Sequence, residues 1–214
     1  METEKVNFKQ LITSVTAVLA VEITLDILMS GSHLHAMAIL GIKRIIQASL
    51  IILIIFFQDK GISAIGLKQS GMLHGLKRGL IWSAAFGAAV FLGFAVLYIF
   101  KIDPLALIHC SLPENGWILI LFFTVGGVLG PVTEEIFFRG ILYGFLRRWG
   151  ITAALLGSSF LFSLTHLLIS GVFITQFIGG LLFAASYERE KSLVTPIAIH
   201  ALGNLAIFTL SLWN

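Results

Sequence analysis

Gly130-Pro131-Val132-Thr133-Glu134-Glu135-Ile136-Phe137-Phe138-Arg139-Gly140 decides how this chain is read. The stretch lies inside a long apolar run from Trp117 to Trp149, where a charge is costly. Two adjacent carboxylates and an arginine in hydrocarbon mark a functional site by default. Pro131 fits the first position of a helix and Gly130 the turn before it, so the spacing predicts a helix start in mid-membrane. That start would aim free N–H groups at Thr133 and Glu134. On one helix the two glutamates point about 100° apart. Glu135 and Arg139, four residues apart, can pair, which leaves Glu134 free to face a cavity.

The surrounding composition sets the class. The chain has 214 residues, 57% hydrophobic and 12% charged, with a mean hydropathy of +0.98. Soluble domains carry about 25% charged residues, so the expectation is an all-α, polytopic integral membrane protein. The pI of about 9.2 and net charge of +3 invite a nucleic-acid reading. The basic residues sit at span ends rather than in one patch, which excludes it. Cys110 is the one cysteine, so no intrachain disulfide can form. The first apolar run has no small-residue cleavage pattern, so no cleavable signal peptide is expected. Neither an internal repeat nor a low-complexity tract is visible, and residues 1–214 read as a single membrane domain.

Working outward, about seven spans are expected: 11–29, 42–57, 79–100, 117–149, 151–169, 172–187 and 192–213. The loop between the first two holds His33 and His35, and an interfacial helix is expected near Leu73. The fourth span would measure roughly 50 Å as one helix, too long for a core of about 30 Å. Gly130-Pro131 is therefore expected to break it. Glu22 and Asp26 share a face of the first span and are expected to pair with Lys43 and Arg44, or else to line a substrate entrance. With the N-terminus inside, the inner segments hold Lys5, Lys9, Lys60, Lys68, Lys77, Arg78, Arg147, Arg148, Arg189 and Lys191. The outer ones hold Lys101, with Lys43 and Arg44 ambiguous. This asymmetry places the N-terminus in the cytoplasm.

Two later spans carry matching polar groups. His166 lies as far after Gly150 as Glu134 lies before it, so an antiparallel pair turning there brings both to one depth. His200 and Asn204 share one helix face, Pro196 loosens that span and Gly203 leaves room beside it. A carboxylate with a histidine can deprotonate water. A histidine and an asparagine side by side can donate to an oxyanion.

Glu-Glu-x-x-x-Arg, Phe-x-x-x-His and His-x-x-x-Asn, in that order on three spans, resemble the CAAX-protease and bacteriocin-processing (Abi) family. Its eukaryotic members are the Ras-converting CAAX prenyl endopeptidases. The residues are Glu134, Glu135 and Arg139; Phe162 and His166; His200 and Asn204. The likeness covers the segment 117–214, while 11–116 matches only as hydrophobic spans. The resemblance implies a glutamate-dependent intramembrane endopeptidase. In it Glu134 and His166 activate water, His200 and Asn204 form the oxyanion hole, and Glu135 with Arg139 braces the site. No cofactor is expected. Zinc is the alternative, since histidines and glutamates can bind it, but Asn204 is a poor ligand and no His-Glu-x-x-His pair is present. A bacteriocin-immunity or scaffold protein without catalysis, and a transporter with a broken helix, are the rival classes. The expected partners are the lipid bilayer and a membrane-associated protein or peptide substrate. A short, nearly loopless chain suggests a prokaryotic cell membrane, where a prenylated substrate is not expected.

Overall fold

The computed structural model describes residues 6–59, 61–105, 108, 110–170 and 173–213. Lys5, Lys60 and His109 lie outside the described residues. The regular structure of the described residues is helical: α1 (Phe8–Met29), α2 (Ala36–Asp59), α3 (Met72–Ile99), α4 (Gly116–Trp149), α5 (Ile151–Ser170), α6 (Phe173–Glu190) and α7 (Val194–Leu210). Asn7 opens α1 with a capping box, in which its side chain accepts from Gln10 N while Gln10 Oε1 accepts from Asn7 N. Asn115 caps α4 by accepting from Trp117 N and Ile118 N.

Among the described residues, five segments are long and apolar enough to cross a membrane: Phe8–Met29, Ala36–Gln58, Ile62–Ile99, Gly116–Trp149 and Val194–Trp213. This is an integral membrane protein. The apolar part of α5 is shorter, Ile151–His166, and α6 ends on the polar run Tyr187-Glu188-Arg189-Glu190. Large apolar side chains such as Phe57, Phe91 and Leu92 face outward, as a lipid solvent permits. The interior instead holds polar contacts and close helix approaches. Gly41 lets α2 approach Val125 of α4, and Gly79 lets α3 approach Ala198 of α7.

Three expectations fail for physical reasons. The chain does not break at Gly130-Pro131: Gly130 has φ −57° and ψ −61°, and helix continues through it. A π-helical stretch, Val125–Leu129, precedes the proline, and a second, Ile136–Tyr143, follows Glu135. Widening the turn moves the carbonyl that the proline ring would strike, so the rod survives intact. No free helix N-terminus therefore points at Glu134. Leu73 belongs to the first turn of α3 rather than to an interfacial helix. The connection before it forms two short 3-10 turns, Ile62–Ile65 and Gln69–Gly71, and buries Ile65 against Gly140 of α4. Pro196 sits in the first turn of α7, where its missing N–H costs nothing.

The α1–α2 hairpin carries its own intramembrane polar group. Lys43 bonds both Asp26, at 2.6 Å, and Glu22, at 3.3 Å. Arg44 does not join that pairing; its Nη1 donates to Gln47 Oε1, and Gln47 in turn donates to Glu22 Oε2. The opposite end of the bundle is clasped by Arg78 on Glu190 and by Arg147 and Lys191 on Glu188.

Candidate active site

Gly150, with φ +103°, turns α4 back into α5. The antiparallel pair brings Glu134 and His166 to one depth, with Glu134 Oε2 3.7 Å from His166 Nε2. From α7, His200 Nε2 lies 3.8 Å from the same carboxylate oxygen. Both separations exceed a direct hydrogen bond, so the oxygen faces two imidazoles with room for a small polar group. Glu134 and His166 remain about one-fifth exposed, while His200 is nearly closed off.

Glu135 is turned away from that opening and is fully buried with Arg139. Its Oε1 accepts from Arg139 Nη1 at 2.9 Å and from His200 Nδ1 at 2.8 Å. Arg139 Nη2 donates to Gly180 O of α6 at 3.0 Å. The guanidinium carbon lies 4.8 Å from the Phe162 ring, 5.2 Å from Phe183 and 5.9 Å from Phe138. Three phenyl faces thus box the cation. His200 stacks on Phe183, with centroids 4.5 Å apart at 17°. Phe162 touches the rings of both His166 and His200.

The partners fix the imidazole tautomers. His166 Nδ1 lies 2.9 Å from Phe162 O, and a carbonyl can only accept, so Nδ1 carries a proton. His200 Nδ1 likewise donates to the Glu135 carboxylate. In each neutral ring Nε2, the nitrogen facing Glu134, is then an acceptor. When His200 is protonated its Nε2 becomes a donor.

Asn204, expected beside His200, is held by the backbone of α4. Asn204 Nδ2 donates to Gly126 O of α4 at 2.9 Å, and a Cβ at the neighbouring Gly203 would meet nothing within 4 Å. Thr133 Oγ1 lies 2.8 Å from Leu129 O and 3.0 Å from Arg44 O, so its single proton is shared between its own helix and α2. Among the described residues, no group of three or more His, Cys, Asp or Glu is placed to hold a metal ion.

The motif spacings do not announce the Glu135–His200 bond, the role of Thr133 or the phenyl box. Phe162 could be inferred from its place in the second motif. Phe183 carries no local signal, and Gly180 offers only its adjacent Gly179 as a hint of close packing.

Residues 116–206 match the family model described as type II CAAX prenyl endopeptidase Rce1-like. Every motif residue lies inside that match, and α1 to α3 lie outside it. No curated protein and no solved structure matches the chain.

Proposed function

We propose, from the premise that residues 116–206 form an Rce1-like domain, that this membrane protein is a glutamate-dependent intramembrane endopeptidase. The observation carrying the reading is the convergence of Glu134, His166 and His200 around one partly open carboxylate oxygen. Glu134 Oε2 takes a proton from a water that also donates to His166 Nε2, and the water oxygen bonds to the scissile carbonyl carbon. The carbonyl becomes an oxyanion held by His200 Nε2–H and by the second N–H of Asn204. On collapse the C–N bond breaks and Glu134 passes its proton to the leaving amine.

Because Nδ1–H of His200 is held by Glu135, its Nε2 donates only as an imidazolium. The substrate is a membrane-associated protein or peptide. The helix that carries Asn204 also presents an open apolar face, Leu202, Leu205, Ala206, Thr209 and Leu210, which suits an apolar segment arriving from the bilayer. The basic-residue asymmetry supports a cytoplasmic N-terminus, and the short, nearly loopless chain supports a prokaryotic cell membrane.

The experiment is cleavage of a fluorogenic peptide library by purified protein in detergent, comparing wild type with His166→Ala, with and without chelator. Loss in the variant and indifference to chelator is the expected result. Activity abolished by chelator and restored by zinc would move these residues into a metal site. A variant that cuts as well as wild type would remove His166 from the mechanism.

A further inference from the structure

The carbonyl of Gly126 belongs to the π-helical stretch before Pro131. In an α-helical ladder its donor is the N–H four residues on, at Gly130; in a π ladder it is five on, at residue 131. The Gly130 N–H donates to Val125 O instead, and Pro131 has no N–H. Both donors that the helix could offer this oxygen are therefore missing. In hydrocarbon no water replaces them, and an orphaned backbone carbonyl is costly. Asn204 Nδ2 reaches it from α7 at 2.9 Å. The approach is possible because residues 126 and 127 are glycines: a Cβ on Gly127 would lie 2.5 Å from Leu205 Cδ2, and one on Gly126 3.2 Å from Phe208 Cζ.

We propose that Asn204 stands in for the backbone donor that Pro131 lacks, and that it is thereby a positioning residue for Glu134. The widened turn that needs this bond ends one residue before Gly130, and Glu134 follows on the next turn. Fixing Gly126 O fixes the rotation at which α4 presents the carboxylate to His166 and His200. The bond also orients the carboxamide, whose second N–H stays available to an oxyanion. This inference rests on the endopeptidase reading only for its kinetic consequence; its structural part stands alone.

The test is a double-mutant cycle in detergent on wild type, Asn204→Ala, Pro131→Ala and the double variant. Alanine at 131 returns an N–H to the ladder, so the carboxamide becomes redundant. Asn204→Ala should lower the denaturation midpoint by about 2–4 °C in wild type, and by less than half as much beside Pro131→Ala. The kcat loss on a cleaved peptide should likewise shrink in the Pro131→Ala background with KM unchanged, since a pure oxyanion donor would lose the same factor in both. An equal midpoint cost in the two backgrounds overturns the proposal. Should Pro131→Ala fail to fold, Asn204→Leu decides: a side chain of similar size that cannot donate leaves Gly126 O unpaired, so a midpoint equal to wild type overturns the proposal and a fall supports it. Should no peptide be cut by any form, the endopeptidase reading fails while the midpoint cycle still decides this one.

Discussion

Replacing Glu135 and Arg139 with leucine, singly and together, gives large single penalties that mostly cancel when the two are combined. Arg139→Leu leaves an ionised, fully buried Glu135 with His200 Nδ1 as its remaining partner. Glu135→Leu strands a guanidinium whose Nε has no partner and whose Nη2 holds only Gly180 O. Removing one member of a buried pair costs about 3–5 kcal/mol, so the singles sum to about 6–10. In the double variant no charge is stranded, and the isobutyl group at position 139 meets the phenyl rings of Phe138, Phe162 and Phe183 that surround Arg139 in the wild type. What remains is the buried His200 Nδ1–H without an acceptor, about 1–3 kcal/mol. Denaturant titration in mixed micelles, followed by tryptophan fluorescence, reads all four proteins. The double variant should be more stable than either single. A double variant that loses the full sum would refute the claim that the pair's cost lies in stranded charge.

Two further outcomes follow from the packing and the clasp. A Cβ on Gly79 would lie 2.6 Å from Ala198 Cβ and 3.1 Å from Thr195 O, so Gly79→Val should cost about 1–3 kcal/mol by forcing α3 from α7; Gly87→Val, with nothing within 4 Å, should be silent in the same titration. Burial alone would raise the Glu188 carboxyl, beyond the apolar part of α6, but hydrogen bonds from Arg147, Lys191 and Tyr143 hold it down to about 2. Its folded value lies below its unfolded one, so the stability it lends is complete above about pH 4.3 and is lost as pH falls toward 2. Glu188→Gln should flatten midpoint against pH in that window, and an unchanged slope would rule the clasp out as its source.

How much the sequence discloses differs from residue to residue. Hydropathy marks the helices because each apolar run must span lipid or pack within the bundle. The Gly150 symmetry places Glu134 beside His166 because rise per residue is the same in both helices of the pair. Helical spacing likewise pairs Glu135 with Arg139 and puts Glu22 and Asp26 on one face of α1, where Lys43 of α2 meets both. The reading of Pro131 goes astray because proline is compatible with either a helix start or a helix that widens ahead of it. Only the neighbours, above all the Asn204 donor on α7, select the second. Glu135 bonding His200, and Thr133 bonding Arg44 O, depend on helix rotation across the bundle, which no single span's periodicity encodes. Arg44 misses the carboxylates because Lys43 satisfies both and Gln47 lies one turn along the same helix.

If Glu134 takes the proton of the attacking water, Glu134→Gln removes the step on which cleavage depends. The substitution keeps shape and the approach to His166 and His200, and removes only the base. Purified Glu134→Gln should fold with an unchanged denaturation midpoint and cut a peptide cleaved by wild type at least about a hundredfold more slowly, the upper contribution of a general base being about 10⁴. Cleavage by a folded Glu134→Gln at the wild-type rate would contradict the account.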